Sequence, residues 1–378
     1  MSMRVRELDF SFPKLRSKEH AHQFFRALMA AHPDLSDIDF QTRHPPMVQI
    51  HGKRYALRGE TDESDILTLI NSCFTHQTGK GDMHNERLGI NTILAIPLGG
   101  NDWLRFRFNA VLCQLPGTGR NDASGVQISL RYIPSVLPDW RQLGIPEELI
   151  RGVWYPDGIA LVTGPTGSGK TTTLAAMIRY ALEENEELVD HKIITAESPI
   201  EFLYNHPRIS QSQVPSHLRE WYLSNVEAMR RNPDIIMIGE VRDRESIRTA
   251  IEASMTGHLV MTTVHVTYVS DAVSRLVKAF SAEEAPAMTA DILESLRIAI
   301  AQRLVIGTDG RRVAVREWLF FDRAMRRALM HVPPVELATA IQEQVDRKGH
   351  SYRTDADELL AAGRITPQQH AYILRGFD

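Results

Sequence analysis

The stretch Gly164-Pro165-Thr166-Gly167-Ser168-Gly169-Lys170-Thr171 constrains this chain more than any other. Before it lies the short apolar run Ile159–Thr163. After it, Leu174, Ile178 and Leu182 recur at helical spacing. Strand, tight loop and helix in that order predict an α/β domain built on a parallel sheet. The glycines let the backbone curl until successive N–H groups point at an anion, and the helix adds its positive N-terminal end. The pattern G-x-x-x-x-G-K-[ST] therefore predicts a phosphate-binding loop for ATP with Mg²⁺. Lys170 would bridge the β- and γ-phosphates, the Thr171 hydroxyl would ligate Mg²⁺, and Thr172 completes the nucleotide-binding set. A glycine-rich turn that binds nothing is the bland alternative, and the strand and helix around the loop argue against it.

Other segments fit the same core. Ile193–Thr195, Ile235–Ile238 and Leu259–Thr263 are short apolar runs of the kind found in covered parallel sheets. The spacing of Ile247, Ala250, Ile251 and Ser254 predicts a helix over Arg244–Met255, with Asp243 as N-cap and Gly257 as its stop. From about Asp271 the tail reads as mainly helical, with one strand at Val313–Phe321. The N-terminal part follows another regime. A helix is expected over Lys18–Ala31, strands at Asp39–Gln41 and Met47–Ile50 leading into a turn at His51-Gly52-Lys53, and a helix over Glu63–Phe74. Strands at Thr92–Ile96, Trp103–Cys113 and Gly125–Tyr132 complete a small α+β domain. Pro134, Pro138 and Pro146 mark the change. The expected layout is an N-terminal domain over 1–135, a linker over 136–150, the ATPase domain over 151–330 and a helical region over 331–378.

Composition narrows the function. A chain of 378 residues with 43% hydrophobic and 24% charged residues can bury two cores. Net charge is −4, and the Arg pairs at 230–231, 311–312 and 326–327 are dispersed, which argues against a nucleic-acid surface. Cys73 and Cys113 form no zinc or disulfide pattern. The start Met-Ser-Met-Arg-Val-Arg lacks the apolar stretch of a secretory leader, and no run of about 18 apolar residues predicts a transmembrane helix. A cytoplasmic protein is expected.

Candidate catalytic groups stand at predicted strand ends. Asp234–Gly239 reads as a buried strand ending at Glu240. In an open α/β sheet that end faces the ligand crevice, so Glu240 can polarise the attacking water. Its alternative role, capping the next helix, suits Asp243 better. Glu197, just after Ile193–Thr195, is placed as a ligand in the Mg²⁺ shell through water, and Glu201 would support it or face solvent. His258 and His265 flank one strand, about 20 Å apart, too far to share a metal. His265, at the carboxyl end, is the candidate for sensing the γ-phosphate, and His258 is a further nucleotide-binding candidate. Arg105 and Arg107 alternate with Phe106 and Phe108, and Arg131 ends another strand. Such arginines are usually solvated charges. A phosphoryl-transfer transition state needs cations, however, and these three could close on ATP from the N-terminal domain.

In combination these motifs resemble the type II/IV secretion ATPase superfamily. The likeness comprises the phosphate loop, the acidic box Ala196–Glu201, the segment Gly239–Asp243 and the His box Thr256–His265. It continues at Ser36–Ile38, Arg105–Asn109, Ser295–Arg297 and Gln302–Val305, so it covers most of the chain. Within the superfamily the chain is similar to the DotB/TraJ-type ATPases of type IVB secretion and conjugation. Glu197–Phe202, Ser210–Pro215, Glu283-Glu284, Asp291–Glu294 and Arg312–Glu317 carry that likeness. The resemblance implies a RecA-like core preceded by a PAS-like domain. It also implies a homohexamer docked at the cytoplasmic face of an inner-membrane channel, with ATP-driven domain closure moving the partner complex. Departures are Ser198 where the family's acidic box carries a second carboxylate, the absent four-cysteine module, and the missing Ala-Ile-Arg-Asn-Leu-Ile-Arg signature of retraction motors. A type IV pilus retraction motor and a nucleotide-gated scaffold with little turnover remain as alternatives.

Overall fold

A computed structural model of the chain describes residues 5–73, 89–100, 102–114, 124–214 and 227–375. Phe74, the expected end of the second helix, and Pro215 lie outside them. The chain divides into two compact units, Met1–Val136 and Leu137–Asp378.

In the first unit, β1 (Glu7–Ser11), β2 (Leu35–Gln41), β3 (Met47–Ile50), β4 (Lys53–Arg58), β5 (Ile90–Gly99), β6 (Asp102–Gln114) and β7 (Ser124–Ile133) form one sheet in the order β1-β4-β3-β2-β7-β6-β5. The β3–β4 hairpin turns at His51 and Gly52, both with positive φ (48° and 75°), the twist a two-residue hairpin requires. Helix α1 (Lys18–Ala31) starts where Ser17 accepts the His20 N–H, and α2 (Glu63–Ser72) starts at the reciprocal Asp62–Asp65 capping box. Phe24, Phe25 and Leu28 of α1 join Ile66, Leu69 and Ile70 of α2 in one core with Phe40, Phe106 and Phe108 of the sheet. The short strands β1 and β4 are additions to the predicted set. β1 alternates along its five residues, whereas β4 buries Ala56 and Leu57 in succession and carries no such period.

The second unit is built on β8 (Gly158–Thr163), β9 (Ile193–Glu197), β10 (Ile209–Gln213), β11 (Ile235–Ile238), β12 (Leu259–Val264), β13 (Leu296–Ile306) and β14 (Arg312–Phe320). The sheet order is β10-β9-β11-β12-β8-β13-β14, parallel throughout except for β14. Helices α3 (Glu147–Gly152), α4 (Lys170–Glu183), α5 (Arg244–Met255), α6 (Asp271–Val277) and α7 (Ala285–Ser295) precede β13. After β14 come α8 (Arg323–Leu329), α9 (Leu337–Lys348), α10 (Tyr352–Ala361) and α11 (Pro367–Leu374). Every residue of β8, β11 and β12 is buried. Asp243 caps α5 as expected, its carboxylate accepting the Ser246 N–H at 2.8 Å.

The tail differs from the expectation of a single strand. Leu296–Ile306 is an 11-residue strand beside β8. Ile298, Ala299, Ile300 and Ala301 are buried in succession, on both faces of the sheet. A continuous apolar run of that length has no period that separates a buried strand from a buried helix. The polar edge strand β10 is likewise specified by its pairing with β9, since Ile209–Gln213 carries only one large apolar residue.

Candidate active site

Register brings the candidate groups together. In the parallel pairs, Val264 of β12 lies beside Thr163 of β8, and Ile238 of β11 beside Thr262 of β12. The residues just beyond these strand ends are His265, Gly164 and Glu240, so all three emerge on one edge of the sheet. Glu240 is held there by its neighbours. The Gly239 N–H donates to Ala196 O at 2.7 Å, the Val241 N–H to Thr263 O at 3.1 Å, and Thr263 Oγ1 to Gly239 O at 2.7 Å.

Gly164 and Gly169 are obligatory in the phosphate loop. Gly164 has φ 146°, and a Cβ there would lie 2.3 Å from Gln302 O and 2.5 Å from Ser168 Oγ. Gly169 has φ 84° and precedes the first turn of α4, and its Cβ would lie 2.9 Å from Gln302 Nε2. Any side chain would open this cradle, whose curled backbone and helix N-terminus suit a polyphosphate. Lys170 Nζ donates to Gly164 O at 2.9 Å and Pro165 O at 3.1 Å. Thr171 and Thr172 follow in the first turn of α4, both partly buried.

A short chain of polar contacts leaves Lys170. Its ammonium is 3.4 Å from His265 Nδ1, and His265 Nε2 is 3.4 Å from Glu240 Oε2. An ammonium can only donate, so Nδ1 accepts and the ring proton resides on Nε2, facing the carboxylate. The other Glu240 oxygen is 3.3 Å from Arg242 Nη1. Burial holds the Lys170 ammonium below its usual range, while Glu240 and then Glu201 pull it upward. Glu201, read from sequence as a supporting or solvent-facing group, thus acts on the loop lysine.

Glu197 is buried at the end of β9. Its Oε1 accepts from Thr195 Oγ1 at 2.7 Å and from Gln211 Nε2 at 3.0 Å. Gln211, absent from the sequence-derived set, also donates to Phe202 O and accepts the Tyr204 N–H, so β10 anchors Glu197 and the segment that follows the acidic box. Its segment stands out in the sequence only through the DotB/TraJ likeness, because its contact with Glu197 depends on the pairing of β10 with β9.

His258 is not brought to this edge. It precedes β12 at the end opposite His265, and its Nδ1 donates to Ala253 O at 3.0 Å, closing the last turn of α5. Six strand residues, about 20 Å, separate it from the phosphate loop of the same chain. The three arginines share one face of the first unit's sheet. Arg107 lies directly across from Arg131, and Arg105 is two residues along β6. Arg131 Nε donates to Asp37 Oδ1 at 2.8 Å, Arg107 is exposed and Arg105 is buried.

No helix among the described residues is long and apolar enough to cross a membrane. A family model described as "Type II/IV secretion system protein" matches residues 72–315. The chain is 37% identical over 318 residues to an uncharacterized protein of Escherichia coli K12, YggR, covering 84% of this chain and 91% of that one. Its fold is similar to the crystal structure of the Legionella pneumophila ATPase DotB, with TM-score 0.82, 32% identity and coverage of 99% and 100% of the two chains. It is also similar to the pilus retraction motor PilT with bound ADP, with TM-score 0.76, 27% identity and coverage of 95% and 97%.

Proposed function

The chain belongs to the type II/IV secretion system protein family, and from that premise we propose that it hydrolyses ATP to ADP and phosphate and works as the motor of a type IVB secretion or conjugation machine. The observation that carries the chemistry is the contact chain from Lys170 through His265 to Glu240 at the mouth of a glycine cradle. The backbone of Gly164–Thr171 would hold the phosphates, and Lys170 would exchange its two loop carbonyls for phosphate oxygens. Glu240 would orient the attacking water and take up its proton. His265, already within 3.4 Å of both Lys170 and Glu240, would report the presence of the γ-phosphate to the carboxylate. Thr171 and, through water, Glu197 would hold Mg²⁺, an all-oxygen set of the kind that ion prefers. When bound, Mg²⁺ would neutralise charge on the β- and γ-phosphoryl oxygens. Arg105, Arg107 and Arg131 would supply further cations to the transition state as the N-terminal unit closes on ATP, within or between subunits.

The likeness to the ATPase DotB over nearly the whole of both chains supports the ATPase assignment, and the sequence resemblance to the DotB/TraJ-type ATPases implies a homohexamer attached to the cytoplasmic face of an inner-membrane complex. Similarity to PilT keeps pilus retraction as the second reading, because the same chemistry would serve it. Steady-state ATP hydrolysis beside Glu240→Gln, with mass by light scattering, tests the proposal. Turnover lost in the variant with ATP still bound and a hexameric mass supports it. A hexamer that binds ATP and never turns it over, even with its membrane partners added, would identify a nucleotide-gated scaffold instead.

A further inference from the structure

Beneath the phosphate loop lies a polar network that the loop motif does not itself require. Gln302 on β13 is 2% exposed and faces the loop from below. Its amide orientation follows from its neighbours, because a guanidinium can only donate and a carbonyl can only accept. Oε1 receives Arg316 Nε at 3.1 Å and Thr173 Oγ1 at 2.7 Å, and Nε2 donates to Ser168 O. Arg316 lies directly across on β14, equally buried. Its remaining guanidinium nitrogens donate to Gly144 O at 2.9 Å and Leu143 O at 3.1 Å. These hydrogen bonds all run to neutral oxygens. Burial lowers the guanidinium to about 10, with Asp355 opposing, so it stays charged at neutral pH. The Asp355 carboxylate takes the Arg316 backbone N–H at 2.9 Å.

Resting on the nucleotide-binding reading above, we propose that Gln302 and Arg316 are positioning residues that aim and polarise the Ser168–Gly169 peptide toward a bound phosphate. In a planar trans peptide the N–H points opposite to the C=O. With the Ser168 carbonyl drawn down onto Gln302 Nε2, the Gly169 N–H turns to the other side, where successive loop amides bind an anion. The donors run head to tail from guanidinium to amide to peptide. Each hydrogen bond polarises the next, and a full positive charge stands at the far end in a buried setting. The same network joins the loop to Leu143–Gly144, near the start of the second unit, so movement of that segment would be felt at the phosphates.

Gln302→Glu separates this role from simple bracing. The introduced carboxylate still accepts from Arg316 and Thr173, and its pairing with Arg316 leaves the melting temperature unchanged or raised. It presents an oxygen to the Ser168 carbonyl, however, and turns the peptide away. Titration of the full chain with a fluorescent ATP analogue and Mg²⁺, beside melting of the nucleotide-free protein, gives both readouts. The expected result is affinity weakened about 10- to 100-fold, the range of one charge-assisted hydrogen bond, without loss of melting temperature. Affinity within twofold of wild type would overturn the proposal, as would affinity and melting temperature falling together. If Gln302→Glu does not fold, Gln302→Met removes the amide at similar size, and wild-type affinity in that variant would overturn the proposal equally. Wild-type protein that binds no ATP would refute the functional reading itself, a failure distinct from any of these.

Discussion

Glu317 on β14 has no exposed surface and accepts the Val269 N–H at 2.9 Å, four residues beyond His265. Burial pushes its carboxyl from 4.5 up to about 7. The Val269 and Tyr352 backbone N–H groups and Arg303 oppose that rise, and Asp346 adds to it. Between those two values the folded protein keeps a proton that the unfolded chain has released, so stability falls as pH rises through the window. One pKa unit corresponds to about 1.4 kcal/mol, so the cost grows from roughly 1 kcal/mol at pH 5.5 to roughly 3 kcal/mol at pH 8. Glu317→Gln keeps an acceptor for Val269 and cannot ionise. It also adds a buried NH₂ group, whose cost does not depend on pH. The difference in stability between variant and wild type should therefore move by about 2 kcal/mol in the variant's favour from pH 5.5 to pH 8. Urea unfolding followed by tryptophan fluorescence at the two pH values measures it, and other titrating groups cancel in the subtraction. A difference that is the same at both pH values would mean that the carboxyl is already ionised in the native state, and the reasoning would fail.

Other substitutions probe the site directly. Glu240→Gln should lower kcat by about 10²–10⁴-fold, the usual scale for a general base, with ATP affinity retained; equal kcat would remove Glu240 from the chemistry. His265→Asn should slow turnover more than it weakens binding, because the Lys170–Glu240 link is broken while the cradle stays intact, and comparison of kcat with ATP affinity checks this. Gly164→Ala sets a Cβ 2.3 Å from Gln302 O and should abolish ATP binding and lower the melting temperature; normal binding would show that the loop tolerates a side chain. At least one of Arg105→Ala, Arg107→Ala and Arg131→Ala should reduce kcat by about 10³-fold or more, the scale of an arginine finger. Unchanged turnover in all three would leave that sheet face without a catalytic role.

Local sequence determined what depends on neighbours along the chain. The glycine octet between an apolar run and an amphipathic helix specified the phosphate loop, because backbone curvature and helix polarity act within a dozen residues. Asp243 declared its helix start, and the periodicity of Lys18–Ala31 its helix, for the same reason. Tertiary structure decided what depends on register. The sequence already put His265 at the carboxyl end of its strand, but only the parallel pairing of β12 with β8 brings that end beside Gly164 and leaves His258 at the far edge of the sheet. Pairing of β10 with β9 brought Gln211 onto Glu197, and pairing of β14 with β13 set Arg316 against Gln302 beneath the loop. A buried polar side chain carries no periodic signal of its own. Its partners, separated from it by tens of residues, meet it only when strands lie side by side, which is why the loop was legible in the sequence and the network that supports it was not.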